Sequence, residues 1–451
     1  MLSAEEYPRV LVVSAAVFDR STGTGITLSN LFAGWPADRL SQLYTEDATP
    51  GAEVRGTFNR FAPRNAPVEY HLFRLRQRTR RTAPTDAPAD APPNPARARL
   101  RSQLRAFVDV SPVRVPTDVR SWLREQRPDV VYATLGSIRM MRLAVTAAQE
   151  CEAPLVPHFM DDWPSTLYAG GQLLGVPRLA VLAGVREVLR HSSYGMGISE
   201  AMAREFESRY GLPFAAFGNC VSPADFADPS APAATRREDG TVDLVYVGGL
   251  HLDRWRSLRR IGESVQRLAG RGVPVRLTVH APAADLGRYG GRLAGLPAVR
   301  MGGSLPASEV PGALRQADVL VHVEAFAEEH RRYTRYSLST KIPQYLAAGR
   351  PVLGFGPAEL ASMAHLSEAE AGVVVGVDDD AALTDAVGTL CAEAELRSRL
   401  GRQGLAYALR HHRTDRVAAR FAEVLREAAH RRVRPPAPRA GGVSLRGVDA
   451  G

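Results

Sequence analysis

The chain has 451 residues, of which 45% are hydrophobic and 23% charged, and a formal net charge of +9. That length predicts two or three domains, and the composition excludes wholesale disorder. No apolar run reaches the roughly 18 residues of a membrane-spanning helix. Cys151, Cys220 and Cys391 are too few and too scattered for a disulfide framework or a zinc site. The first residues lead straight into a strand pattern with no leader-like stretch, so the cytoplasm is the expected compartment. The positive balance suits anionic lipid or phosphorylated substrates. It suits nucleic acid poorly, because aromatic platforms interleaved with basic residues are not evident.

The first predicted strand is 9–14, RVLVVS, an apolar run suited to a buried parallel strand. A loop at 21–25, STGTG, carries Gly23 and Gly25, and a short amphipathic helix follows at 26–32. Strand, glycine loop and helix open a Rossmann-like unit. Further strands are predicted at 129–133, 154–159, 194–198 and 214–217, with helices at 137–150, 178–191 and 200–209. This alternation predicts a first α/β domain over 1–225, a doubly wound parallel sheet covered on both faces. An insertion at 82–96, rich in Pro and Ala, interrupts it. Arginines flank the insertion, from Arg74 to Arg81 before it and from Arg97 to Arg105 after it. They form a candidate contact with an anionic membrane surface.

Residues 226–241 read as a linker rich in Pro, Ala and charge. The pattern then restarts over 242–405, with strands at 243–247, 275–280, 318–323, 351–355 and 372–375 and a helix from about 257. A helix is predicted at 414–429 within a C-terminal segment 406–430, and a disordered tail over 431–451. Two Rossmann-like halves joined by a hinge place the ligand in the cleft between them, at the carboxyl ends of the strands.

The most informative stretch is 336–356, YSLSTKIPQYLAAGRPVLGFG. Ser339 or Thr340 is the predicted cap of a helix running to 348, Gly349 ends it and Pro351 follows. Lys341 therefore sits at a helix N-terminus among free N–H donors and hydroxyls, a setting for a phosphate. It is also the only lysine among 57 basic residues. Codon bias explains the arginines but not the one lysine. A slot with room only for a compact ammonium on a thin stem would resist replacement by the planar fork of arginine.

This run resembles the donor-site signature of GT-B fold glycosyltransferases, family 4 in particular. RVLVVS with TGTGITLSNLFAGWP, VPHFMDDWP, GISEAM with FGNCVSP, DLVYVGGL, and ADVLVHVEAF with STKIPQYLAAGRPV resemble its other segments, in the family's order. The resemblance covers about residues 8–430. It implies a retaining transfer from a nucleoside-diphosphate sugar as co-substrate, with no metal and no other cofactor. The acceptor would be a glycan, a lipid-linked sugar or a metabolite, met in the cytoplasm or at the inner face of the membrane. Fixed positive charges and N–H dipoles would then stabilise the diphosphate leaving group. The implied positions are Gly248, Gly249, Arg254 (with Arg256 second), Ser339, Thr340 and Lys341.

The family's paired glutamates are replaced here by Tyr336 and Gln344. Gln344 can still hydrogen-bond a ribose diol, though without charge. Glu324, after the strand 318–323, is an alternative source of a carboxylate. Asp161 and Asp162 follow a buried strand and are candidate catalytic groups; no third ligand is spaced for a metal. Adjacent side chains of an extended segment point oppositely, so one of the two should face the cleft. His158 reads as a core residue. Gly23 and Gly25 would line the acceptor side, and His280 and Ser304 the nucleotide base. The same fold would also suit a sugar-nucleotide epimerase or a non-catalytic partner protein.

Overall fold

The computed structural model describes residues 4–19, 22–62, 95–226, 239–431 and 433. Most of the expected insertion, linker and tail lies outside the described residues, as do Arg74, Arg76, Arg78, Arg80 and Arg81. Two parallel sheets form the frame. The first holds β1 Val10–Ser14, β2 Leu40–Tyr44, β3 Thr57–Arg60, β4 Val130–Thr134, β5 Leu155–Phe159, β6 Gly195–Gly197 and β7 Phe214–Ala216, in the order β3-β2-β1-β4-β5-β6-β7. The second holds β8 Val242–Val247, β9 Val275–His280, β10 Val299–Gly303, β11 Val319–Val323, β12 Val352–Phe355 and β13 Gly372–Val375, in the order β10-β9-β8-β11-β12-β13. Each domain starts mid-sheet, winds to one edge and returns to the other. The reversal leaves a crevice beside β1 in one domain and beside β8 in the other.

Three of these strands, β2, β3 and β10, were not predicted. β2 reads LSQLY and is buried throughout, yet it carries Ser41 and Gln42. Their donors find partners locally: Ser41 Oγ donates to the Val10 carbonyl at 3.4 Å, and Gln42 donates to Ser14 Oγ at 2.9 Å and to the Ala16 carbonyl at 3.1 Å. β3 and β10 are edge strands with exposed or half-buried side chains, so neither carries an apolar run. The glycine loop is also corrected. The helix begins at Gly23, because Thr22 Oγ1 accepts the Gly25 N–H at 3.0 Å and caps it. Gly23 and Gly25 thus lie in a first helical turn rather than in a loop.

The last helix, Thr414–His430, crosses back from the second domain and packs on the first. Phe421 anchors it, with ring centroids 5.0 Å from Phe32, 5.1 Å from Phe217 and 5.5 Å from Tyr132. At the crossing Val221 N donates to the His412 carbonyl at 2.8 Å and Thr414 N to the Val221 carbonyl at 3.0 Å. One apolar cluster runs through both domains without a break. Among the described residues no helix is long and apolar enough to cross a membrane. Nor, among them, do three or more His, Cys, Asp or Glu side chains gather to hold a metal ion.

Candidate active site

The crevice of the second domain opens where β8 and β11 separate at their carboxyl ends, and charged side chains gather there. β8 delivers Tyr246 and then Gly248; β11 delivers His322 and then Glu324. Arg254 opens the helix Arg254–Ala269, and its Nη2 lies 3.1 and 3.2 Å from the two oxygens of Glu324. Glu324 is only 3% exposed. Burial alone would raise its carboxyl, but Arg254 and then His322 outweigh burial and hold it at about 2. Arg254 Nε is itself buried without a hydrogen-bond partner. His322 lies 3.4 Å from Glu324, and burial lowers its pKa, keeping the ring neutral.

Lys341 enters from the opposite wall. Its ammonium donates to Tyr246 Oη at 3.1 Å and stands 4.6 Å from the centre of that ring. Burial first, and the Arg254 charge second, pull its pKa down to about 7 against the pull of Glu324. Gly248 makes room for it: a Cβ there would lie 2.5 Å from Lys341 Nζ. Gly249 carries the His251 ring in the same way, since a Cβ would come within 2.5 Å of it. The expected cap is corrected. Lys341 itself holds the N-cap position of the helix Ile342–Ala347, with no side-chain cap, and the Ile342 N–H bonds the Ser339 carbonyl at 3.0 Å. Ser339 N is held by Ser362 Oγ at 3.0 Å. The Thr340 carbonyl accepts from Asn219 at 2.8 Å, and a Cβ on Gly23 would lie 3.6 Å from Thr340 Oγ1. The first helix of one domain therefore abuts the lysine loop of the other.

The aspartate pair divides. Asp161 reaches across the cleft and accepts from Ser337 Oγ at 2.6 Å and Tyr333 Oη at 3.1 Å. Burial pushes its carboxyl up to about 6, with Ser337, Tyr333 and Arg254 opposing. Asp162 turns back into its own domain, is 4% exposed, and pairs with Arg209 at 3.0 Å. His158 is fully buried and bonds the Tyr132 hydroxyl at 2.6 Å, and burial lowers its pKa to about 4. Gln344 is half-buried on the lysine helix. His280 sits beside the crevice, where its carbonyl accepts the Gly248 N–H at 3.0 Å. With Thr278, Arg300, Leu305 and Glu309 it lines a cavity of about 450 Å³. Leu305 is the residue after Ser304. Arg256 stays exposed at 3.3 Å from Asp253, away from the Arg254 pair.

Residues 34–217 match the family model of a glycosyl transferase 4-like domain, and residues 256–423 that of a glycosyl transferase-like domain. The chain is a family 4-like glycosyltransferase of GT-B fold. Solved structures of this fold cover the transferase almost end to end. The Anabaena protein Alr3699/HepE, solved with UDP and glucose, is 14% identical with a TM-score of 0.60, over 93% of this chain and 99% of that one. Sucrose-phosphate synthase from Thermosynechococcus elongatus is 11% identical with a TM-score of 0.61, over 93% and 98%. WaaG, a glycosyltransferase of lipopolysaccharide biosynthesis, is 14% identical with a TM-score of 0.56, over 92% and 99%. The search of curated proteins returns no match.

Sequence reasoning missed several groups of the transferase's cleft. Tyr246 could have been found, since it lies two residues before Gly248 and so on the same side of an extended strand. Tyr333, Ser337 and Asn219 carried no local signal. Each acts on a residue more than a hundred positions away.

Proposed function

We propose that this glycosyltransferase takes its sugar from a nucleoside-diphosphate sugar, without a metal ion or other cofactor and with retention at the sugar carbon. The observation that carries this reading is the convergence of Lys341 and Arg254 on the crevice beside Gly248. Glu324 offsets the charge of Arg254, so within this trio a protonated Lys341 has no carboxylate of its own. A diphosphate arriving there would find an ammonium, a guanidinium edge and the backbone beside Gly248 and Gly249. Charge developing on the departing phosphate would meet fixed cations in a partly desolvated place, where they act most strongly. Ser339 and Thr340 flank the same anion. Gln344 would hold the ribose, and the cavity beside His280, reached past Ser304, would take the base.

Asp161 is the group we assign to the sugar or acceptor hydroxyls. It faces the cleft, and burial raises its carboxyl to about 6. Asp162 is assigned to holding the loop through Arg209. The acceptor, a glycan, lipid-linked sugar or metabolite, would approach from the first domain, past Gly23 and Gly25. The complexes of the Anabaena protein with UDP and glucose, and with UDP-glucose, favour a uridine nucleotide as the first donor to try. A thermal-shift screen against nucleoside diphosphates tests the reading. A nucleotide at about a hundred times its dissociation constant should add roughly 3 kcal/mol of stability. No shift with any nucleoside diphosphate, in a protein that melts cooperatively, would sink it.

A further inference from the structure

Lys341 is the only lysine of the chain, so its ε-amine is the only one the protein can offer. An amine attacks a carbon centre when it has shed its proton and its lone pair is unspent. Both conditions are met in the crevice. Burial first, and Arg254 second, bring the ammonium down to about 7 against the pull of Glu324. About half of the molecules then hold a neutral amine at pH 7, where a solvated lysine holds fewer than about one in a thousand.

The hydrogen bonds leave that lone pair free. The Tyr246 hydroxyl gives its proton to the Gly249 carbonyl at 2.5 Å. Its oxygen is therefore left to accept from Lys341, at 3.1 Å, and Tyr246 is the one hydrogen-bond partner of the amine among the described residues. The tyrosine ring, 4.6 Å away, steadies the stem from beneath. A side chain at position 248 would cover the tip, with its Cβ 2.5 Å from Nζ, and glycine leaves it open. Lys341 is half-buried, so a small reagent reaches it from the cleft.

The neighbours decide which reagent arrives. The titratable and charged groups around the amine are Tyr246 from β8, Arg254 and the nearby His251, and Glu324 with the neutral His322 at the end of β11. Arg254 Nε is buried with no hydrogen-bond partner, a donor with room for a phosphate oxygen. In an acyl phosphate the acyl carbon is joined to that phosphate through one oxygen, so a phosphate on Arg254 carries its carbonyl to the amine. The cysteines do not compete for it. Burial pushes the thiols of Cys151 and Cys220 up to about 12 and that of Cys391 to about 11.

We propose that Lys341 is an acylation site that takes the acyl group of a small acyl phosphate seated on Arg254. The amine nitrogen bonds the carbonyl carbon, the bond from that carbon to the phosphate oxygen breaks, and its electron pair leaves with the phosphate. One amine proton passes to the departing phosphate. The products are an amide and inorganic phosphate, and nothing is oxidised or reduced. The amide carries no charge. Arg254 stays offset by Glu324, so the trio then offers a diphosphate no unpaired cation and the transferase is switched off. The switch rests on the donor reading; the acylation does not.

The test is acetyl phosphate added to the full chain at pH 7, with Nα-acetyl-lysine amide in the same tube as the solvated reference, followed by peptide mass mapping. Lys341 should take up one acetyl group at least about tenfold faster than the reference. The gain is smaller than the ratio of neutral fractions because, as with thiols, a less basic nucleophile is a weaker one. Excess inorganic phosphate at matched ionic strength, and UDP, should slow the reaction. The acetylated protein should lose its thermal shift with UDP. A Lys341 no faster than the reference, or one that phosphate leaves unprotected, overturns the proposal. Full acetylation that leaves a UDP shift undiminished overturns the switch. Protection by phosphate and not by UDP upholds the acylation and counts against the donor reading instead.

Discussion

The two domains share their strand order, save for a seventh strand at the edge of the first, and the same crevice, yet they fill it differently. At the carboxyl end of β1 there is no cation among the described residues: Asp19 is taken up by Thr22, whose N–H donates to it at 2.8 Å, and the other groups are neutral. Ser14 donates to the Ala16 carbonyl at 2.7 Å, and the buried Gln42 donates to both residues. At the carboxyl end of β8, Arg254, Glu324 and Lys341 are drawn together, and the two cations repel each other. A cluster of that kind weakens the empty protein, because desolvating charge is costly. Topology supplies two places for a ligand, then, and side chains make only one of them an anion site.

The sharpest way to break that comparison is to remove the ammonium. Lys341→Ala should lower turnover roughly hundredfold or more, the scale of losing a group that meets transition-state charge. Lys341→Arg should not restore it, because Gly248 leaves room for a thin stem over Tyr246 and not for a guanidinium fork. Steady-state kinetics with a sugar nucleotide decides this, and a fully active arginine variant would remove the argument from the lone lysine. Next in size, Arg254→Ala leaves Glu324 buried without its cation and should cost about 3–5 kcal/mol of stability. Arg254→Met with Glu324→Gln should recover most of that stability in denaturant melts and still fail to bind UDP. Recovery of binding in the double variant would show that the pair is structural only.

The aspartates sharpen the comparison within one loop. Asp161→Asn should slow transfer by about tenfold or more with little change in UDP affinity, as for a group that acts on the sugar or acceptor alone. Asp162→Asn should act on stability instead, because it weakens a buried pair with Arg209. Equal kinetic effects from the two would contradict their opposite orientations.

The sequence carried the frame wherever physics is local. VLVV and LVYV are continuous apolar runs and VLVHV is apolar but for His322, and each proved to be a buried central strand. β2 was hidden because Ser41 and Gln42 find partners in a neighbouring strand that periodicity cannot see. Gly248 and Lys341 stood out singly, but their contact did not, since it joins positions 248 and 341 across a sheet and a loop. Glu324 was legible as a strand-end carboxylate and no more. Only the fold reveals that it shares the crevice with Arg254, while Tyr336 bonds through its carbonyl to Ser199 at 2.6 Å. The exposed leucines of the helices Pro95–Val110 and Val176–Arg190 were illegible for another reason. Their spacing on a helix is that of core residues, and the sequence does not say which side of a helix is covered.

Two smaller effects come from the same crevice. Gly248→Ala should push Lys341 off Tyr246 and weaken UDP binding about tenfold, one charge-assisted contact being worth roughly that much. The pH dependence is gentler and follows from the sign of the lysine shift. In the free protein Lys341 titrates near 7, below the ordinary lysine range, because burial and Arg254 disfavour its charge. A bound diphosphate favours the charge and raises that pKa. Above about pH 7 the protein therefore takes up a proton as it binds, and apparent affinity falls by up to about tenfold per pH unit until the raised pKa is reached. Below pH 7 the ammonium is already present and this contribution is flat. His322 and His251 have lowered pKa values and stay neutral over the alkaline range, so neither imitates the effect. Calorimetric titration with UDP at pH 8, repeated in buffers of different ionisation enthalpy, counts the protons directly. The wild type should take up a large fraction of one proton and Lys341→Met essentially none. Equal uptake in both would locate the titrating group elsewhere and leave the lysine without its role.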